Sequence, residues 1–201
     1  MFTGLVQDVG TVESVEKNDD GARLRIATKL ASEVAAGDSV AVNGVCLTAT
    51  AVDAAGFATD AMNQTLSVTA LDGIEAGRRV NLELAMKASD RLGGHIVQGH
   101  ADGVGEVLTV DDDGFARRLR VALGPELLRY VIAKGSIALD GVSLTVADLG
   151  DSWAALSLIP ETLERTTLGD LAPGDRLNVE CDVVAKYVER LMAPFAGKEQ
   201  P

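Results

Sequence analysis

The chain is poor in the residues that build metal centres and covalent cross-links. Its 201 residues include two cysteines, Cys46 and Cys181, and two histidines, His95 and His100. No CxxC or HxxxH spacing occurs, so a zinc site is not expected. Two cysteines in a chain of this size suit free thiols in a reducing compartment. No apolar run approaches the roughly 18 residues that a membrane span needs. The opening MFTGLVQDVG has no basic region ahead of an apolar core, so it does not read as a signal peptide. It reads instead as a strand that begins almost at Met1. Basic residues are also scarce: 18 Lys and Arg stand against 30 Asp and Glu, a net charge of −12. Such a surface favours solubility and repels phosphate backbones, which argues against a nucleic-acid partner. The expectation is a soluble cytoplasmic protein with no membrane contact.

What is present is a repeat. NGVCLT at Asn43–Thr48 returns as DGVSLT at Asp140–Thr145, with the glycines and the threonines each 97 residues apart. A period of about half the chain indicates a duplicated domain rather than a solenoid. The rest keeps step. Val9-Gly10 answers Val104-Gly105, Gln64-Thr65-Leu66 answers Glu161-Thr162-Leu163, and Asn81-Leu82-Glu83 answers Asn178-Val179-Glu180. Each copy reads as about six short alternating strands separated by Gly-rich turns. In the first copy the strands fall at Phe2–Val15, Ala22–Thr28, the strand pair Ser39–Thr50 with its hairpin turn at Asn43-Gly44, Phe57–Met62 and Arg79–Leu84, with short helices at Leu30–Ala36 and Thr65–Leu71. In the second they fall at His95–Val110, Arg118–Leu123, Ser136–Ala147, Trp153–Leu158 and Arg176–Cys181, with helices at Glu126–Ala133 and Pro160–Leu168. Strands of this length with no long helices between them predict an all-β protein. It would consist of two similar six-stranded antiparallel barrels in tandem plus a C-terminal helix.

The ends of the two copies differ. Val183–Met192 places Val183, Val184, Tyr187, Val188, Leu191 and Met192 on one helical stripe, and Pro194 stops it. The first copy has only a shorter version at Met86–Leu92. The stripe suits either packing on its own barrel or contact with another subunit. The boundaries read as 1–94 and 95–185 for the barrels and 186–201 for the helix and tail.

Five stretches taken in order carry a family likeness: MFTGLV, NGVCLT, GGHIVQGH at Gly93–His100, KGSIALDGVSLT at Lys134–Thr145, and IPETLERTTL at Ile159–Leu168. Together they resemble the riboflavin synthase family over nearly the whole chain. The resemblance implies dismutation of two molecules of 6,7-dimethyl-8-ribityllumazine to riboflavin and 5-amino-6-(ribitylamino)uracil by transfer of a four-carbon unit. It implies two Greek-key barrels, a homotrimer joined by C-terminal helices, an active site between barrels of neighbouring subunits, and no metal or organic cofactor. It also raises association with lumazine synthase. Related antenna proteins with the same duplicated barrels bind lumazine or flavin without catalysis, and they are the alternative.

The ligand is a flat polar ring with a ribityl chain, so it needs main-chain groups along one edge, an apolar floor and hydroxyl partners. Gly4-Leu5-Val6 and Gly99-His100-Ala101 fit the edge role, since glycine lets backbone approach a ring. The resemblance adds Asp60, Ala61, Met62, Asn63, Gln64 and Thr65 in the first copy. In the second it adds Ser157, Leu158, Ile159, Pro160, Glu161 and Thr162. Ser39, Thr48 and Thr145 would face the ribityl chain or ring edge, with Leu47 and Leu144 beside them. Catalysis begins with loss of a proton from the C7 methyl, which asks for acid–base groups and hydrogen-bond donors. The candidates are Ser143, His100, Cys46 and Asp182. Lys134 and Asp140 are further contacts. At matched positions Cys46 opposes Ser143, Asn43 opposes Asp140, Gly37 opposes Lys134, Ala85 opposes Asp182 and Leu5 opposes His100. Most added polar groups lie in the second copy, so the second barrel is expected to carry most of the assisting groups. His95, after Gly93-Gly94, reads as structural.

Overall fold

The computed structural model describes residues 1–193. Pro194 and the expected tail lie outside the described residues. Strands β1 (Asp8–Asn18), β2 (Gly21–Ala27), β3 (Ser39–Val42), β4 (Val45–Asp53), β5 (Gly56–Met62) and β6 (Arg79–Leu84) close into an antiparallel barrel in the order β1-β2-β5-β4-β3-β6. Strands β7 (Gly103–Asp113), β8 (Ala116–Ala122), β9 (Ser136–Leu139), β10 (Val142–Leu149), β11 (Trp153–Leu158) and β12 (Arg176–Cys181) repeat that order in a second closed barrel. Closure leaves no unpaired sheet edge. The helices are α1 (Asn63–Val68), α2 (Pro125–Leu128), α3 (Pro160–Arg165) and α4 (Val183–Met192).

Period-two alternation explains the strands. In β2, Ala22, Leu24 and Ile26 point inward and are at most 3% exposed. Each barrel fills with such residues: Phe57, Val40 and Leu82 in the first, Leu119, Leu156 and Leu177 in the second. A fully buried side chain of this size contributes about 1.5–3 kcal/mol. The register shifts at Val12/Ser14 and Val107/Thr109, and again at Ala49/Ala51 and Val146/Asp148. Bulges at matched positions bend both sheets at the same corners.

Several elements differ from expectation. β1 begins at Asp8, not near Met1, because the chain ahead of Gln7 reaches across to the second barrel, where Gly4 O accepts from Ser143 N at 2.8 Å. Glu126–Ala133 is not one helix. After Leu128 the amides of Tyr130 and Val131 bond three residues back, and the segment continues as a turn. The predicted helix at Leu30–Ala36 is a 3-10 turn over Lys29–Glu33. Met86–Leu92 is not helical either: Lys87 N donates to Asp90 Oδ2 at 2.7 Å and Asp90 N to Lys87 O at 3.0 Å, a closed turn.

The barrels are joined about a pseudo-twofold axis. Phe2 bridges Val97 as an isolated antiparallel pair, and with Ala41 and Ala138 they form a small core between the barrels. Asn43 and Asp140 turn their hairpins with φ of +45° and +44°. The following glycines touch across the axis, where a Cβ on Gly44 would lie 2.6 Å from Gly141 N. Asn81 Nδ2 donates to Asp140 O at 2.9 Å, and Asn178 Nδ2 donates to Asn43 O at 2.8 Å.

Candidate active site

The two lead segments are exchanged between the barrels. Gly4 O accepts from Ser143 N at 2.8 Å, so the segment ahead of β1 lies on the rim of the second barrel. Gly99 O accepts from Cys46 N at 2.8 Å, so the segment ahead of β7 lies on the first. Val6 packs against the second core and Ala101 against the first. Gly4 and Gly99 have φ of +75° and +77°, and a Cβ on either would lie under 3 Å from Ser143 or Cys46, so neither position has room for a side chain.

This exchange redistributes the candidates. His100 follows Gly99 on the rim that holds Cys46, not on the rim of its own copy. Cys46 and Thr48 point out of β4, and Ser39 is the register partner of Thr48. Ser143 and Thr145 hold the matching outward positions on β10. Asp60 and Met62 are exposed near the first rim, and Asp60 is paired with Arg23 at 2.8 Å. Asn63, Gln64 and Thr65 open α1; Ile159, Pro160, Glu161 and Thr162 lead into α3, with Ser157 exposed on β11. Leu47, Ala61, Leu144 and Leu158 do not offer side chains to a ligand. The alternation of β4, β5, β10 and β11 turns them onto the barrel cores, leaving only main-chain groups for a ligand.

Two further positions differ from their sequence reading. Asp140 points away from the rim. Its Oδ1 accepts from Asn178 N at 2.7 Å, just as Asn43 Oδ1 accepts from Asn81 N at 2.7 Å. The two residues do one job, fixing the hairpins at the junction. His95, read as structural, is brought to Ser143: its Nδ1 lies 2.7 Å from Ser143 Oγ across 48 residues of sequence. The imidazole is 8% exposed and its Nε2 has no hydrogen-bond partner. Burial pushes its pKa below the ordinary imidazole value, with the Asp182 carboxylate pulling the other way. The ring is therefore neutral near pH 7, with one nitrogen free to accept a proton. Asp182 also caps α4, accepting from Val184 N at 2.9 Å. The preceding Gly93-Gly94 was the one local signal: a Cβ on Gly94 would lie 2.9 Å from Ser143 Oγ.

Lys134 sits at φ +66° in the place that Gly37 takes at +97° in the first copy. A left-handed lysine costs about 1 kcal/mol relative to glycine, a strain that functional sites tolerate. Two clefts, of about 500 Å³ along Glu16–Arg23 and Asp60–Met62 and about 530 Å³ along Ala70–Arg78 and Gly174–Arg176, lie away from the Ser143–His95 pair. Around the rims, Leu5, Met62, Ile96 and Ile159 are apolar and exposed. Among the described residues no group of three or more His, Cys, Asp or Glu could hold a metal, and no helix is long and apolar enough to cross a membrane.

Two closed barrels of the same strand order, each carrying outward polar side chains at matched strand positions, define a duplicated-barrel protein. The lumazine binding domain matches the chain twice, at residues 3–85 and 98–182. Riboflavin synthase of Mycobacterium tuberculosis is 48% identical over 197 residues, covering 96% of this chain and 98% of that one. Riboflavin synthase of Actinobacillus pleuropneumoniae is 43% identical over 193 residues, covering 96% and 90%. The crystal structure of LumP complexed with 6,7-dimethyl-8-(1'-D-ribityl)lumazine superposes with a TM-score of 0.82 at 25% identity, covering 90% of this chain and 99% of that one. The chain belongs to the riboflavin synthase family, enzymes built on the repeated lumazine binding domain.

Proposed function

We propose that this enzyme converts two molecules of 6,7-dimethyl-8-ribityllumazine to riboflavin and 5-amino-6-(ribitylamino)uracil. One molecule is held on each kind of rim, and the rims meet between neighbouring subunits. The observation that carries this reading is the Ser143–His95 pair. It gives the second rim a proton acceptor that the first rim, with Cys46, lacks in that form. The C7 methyl proton passes to Ser143 Oγ as the serine proton passes to His95 Nδ1. Asp182, at the mouth of α4, steadies the imidazolium that results. Cys46 and His100 face the other molecule, Lys134 meets an anionic ring edge, and Thr48 and Thr145 hold ribityl hydroxyls.

The test is incubation of the purified protein with the lumazine alone. One riboflavin should appear for every two lumazines consumed. Binding without riboflavin formation would overturn the reading in favour of a non-catalytic lumazine or flavin binder.

A shared site requires assembly, and α4 supplies a surface for it. Its polar side is tied to its own barrel: Lys186 Nζ lies 2.5 Å from Asp102, Tyr130 OH donates to Glu189 at 2.7 Å, and Arg129 pairs with Glu189. Its apolar stripe is left outward, with Val184, Tyr187, Val188 and Leu191 each more than half exposed. Burying such a stripe would contribute several kcal/mol per helix. These observations support a homotrimer joined by its helices. Tyr187→Asp with Leu191→Asp should reduce the sedimenting species to a monomer and abolish turnover together. A persistent trimer would refute the helix contact. The two free thiols, Cys46 and Cys181, support a cytoplasmic location.

A further inference from the structure

Two buried carboxylates stand outside this chemistry. Glu83 on β6 and Glu180 on β12 occupy matched positions and are 4% and 3% exposed. Burial pushes both above the ordinary carboxylate range, against the main-chain amides that pull them back. Glu180 Oε1 accepts from Gln98 N at 2.6 Å, and Oε2 accepts from Gly99 N at 2.9 Å and His100 N at 3.0 Å. Glu83 Oε1 accepts from Thr3 N at 2.6 Å and Thr3 Oγ1 at 2.7 Å, and Oε2 accepts from Gly4 N at 2.9 Å.

A buried carboxylate is costly, and a barrel seeking only its own stability is served better by an apolar side chain. What each glutamate holds is not its own barrel. Glu180 is rooted in the second barrel, yet the peptide it grips continues onto the first, where Gly99 O meets Cys46 N. Glu83 is rooted in the first barrel, and the peptide it grips reaches Ser143 N on the second. Side chains alone would leave these glycine-bearing segments loose, since their glycines add backbone freedom. The carboxylates replace that freedom with charge-assisted bonds to consecutive amides.

We propose that Glu83 and Glu180 are crossed positioning residues: each, rooted in one barrel, fixes the peptide rim of the substrate site on the other. The substrate assignment rests on the function proposed above; the crossing rests on the hydrogen bonds alone.

The experiment compares full-length Glu180→Gln and Glu83→Gln with the unaltered protein by amide hydrogen exchange and by alkylation of Cys46 with iodoacetamide. Cys181 stays silent in the second assay, because burial pushes its thiol up to about 12. A carboxamide presents an NH2 where an amide N–H must be accepted, so each replacement opens its segment. Glu180→Gln should speed exchange over residues 98–100 and alkylation of Cys46 by about tenfold or more, the loss of a charged hydrogen bond. Glu83→Gln should speed exchange over residues 3–5 and leave Cys46 alkylation unchanged. Both should lower kcat/KM for riboflavin formation. Equal effects of the two variants on Cys46, or loosening confined to the mutated barrel, would overturn the proposal. If a Gln variant does not fold, the Asp variant keeps the charge, shortens the reach and gives the same comparison. Neither the exchange nor the alkylation needs substrate. Failure of the unaltered protein to make riboflavin would therefore sink the functional reading and leave the crossed pattern separately decidable.

Discussion

Ser143→Ala is expected to slow riboflavin formation by roughly 10²-fold or more, while Thr48→Ala slows it only a few fold. Both residues point outward from matched strands, and both lose one hydroxyl. The difference lies in what stands behind them. Ser143 Oγ is 2.7 Å from His95 Nδ1, a neutral ring with an unpaired second nitrogen, whereas Thr48 is an exposed strand hydroxyl. Removing Ser143 breaks a path for the proton; removing Thr48 weakens a grip. His95→Gln should match Ser143→Ala, and the double variant should cost little more than either alone, since the two act as one unit. The pH profile adds an independent check. Burial holds the His95 pKa below its ordinary 6.5, so the acid limb of kcat should fall below that value. Asp182 acts in the opposite direction on the imidazole. Asp182→Asn keeps a capping oxygen for Val184 N but removes the charge, so the limb should move further towards acid. Equal losses from Ser143→Ala and Thr48→Ala would reject the division of labour between the rims.

The fold was largely legible, and the reason is physical. Arg79–Leu84, Trp153–Leu158, Arg176–Cys181 and Val183–Met192 run between the residues that alternation, turns and the apolar stripe predict. Hydrophobic period is a local signal and survives in one sequence. The exchange of lead segments is not local. It depends on Glu83 and Glu180 gripping peptide N–H groups that every residue but proline carries, so side-chain pattern does not reveal it. His95 reads as structural in the sequence for the same reason, its partner lying 48 residues away. Asp140 shows the opposite error. Its difference from Asn43 suggested a difference in chemistry, yet the two side chains accept from equivalent amides in equivalent hairpins. A changed residue at a matched position shows divergence only when its contacts also change.

That equivalence yields the second large effect: Asp140→Asn should stabilise the protein at pH 8 and have no effect at pH 3. Burial pushes Asp140 from 3.8 up to about 7, with Asp175 adding to the rise and the Asn178 amide and Arg78 opposing it. A carboxyl whose folded pKa is raised stabilises the fold while protonated. That contribution is complete below about 3.8 and is lost as pH rises through about 7. Asparagine cannot ionise, so the variant escapes the loss. The gain above pH 7 is at most about 4 kcal/mol at 1.36 kcal/mol per pKa unit. In melting temperature that upper bound is about 8–16 °C, at about 2–4 °C per kcal/mol for a chain of this size. The geometry accepts the change, because Asn43 already fills the mirrored place at nearly the same φ and Asn is well suited to that left-handed turn. Turnover should survive, since Asp140 sits at the junction of the barrels and not on a rim. A stabilised but inactive Asp140→Asn would return this residue to the substrate. The reciprocal change, Asn43→Asp, carries a weaker complementary expectation, since Asn43 is only half-buried. It should install a half-buried carboxyl across the axis, leave stability unchanged in acid, and lower the melting temperature as pH rises by less than Asp140→Asn raises it.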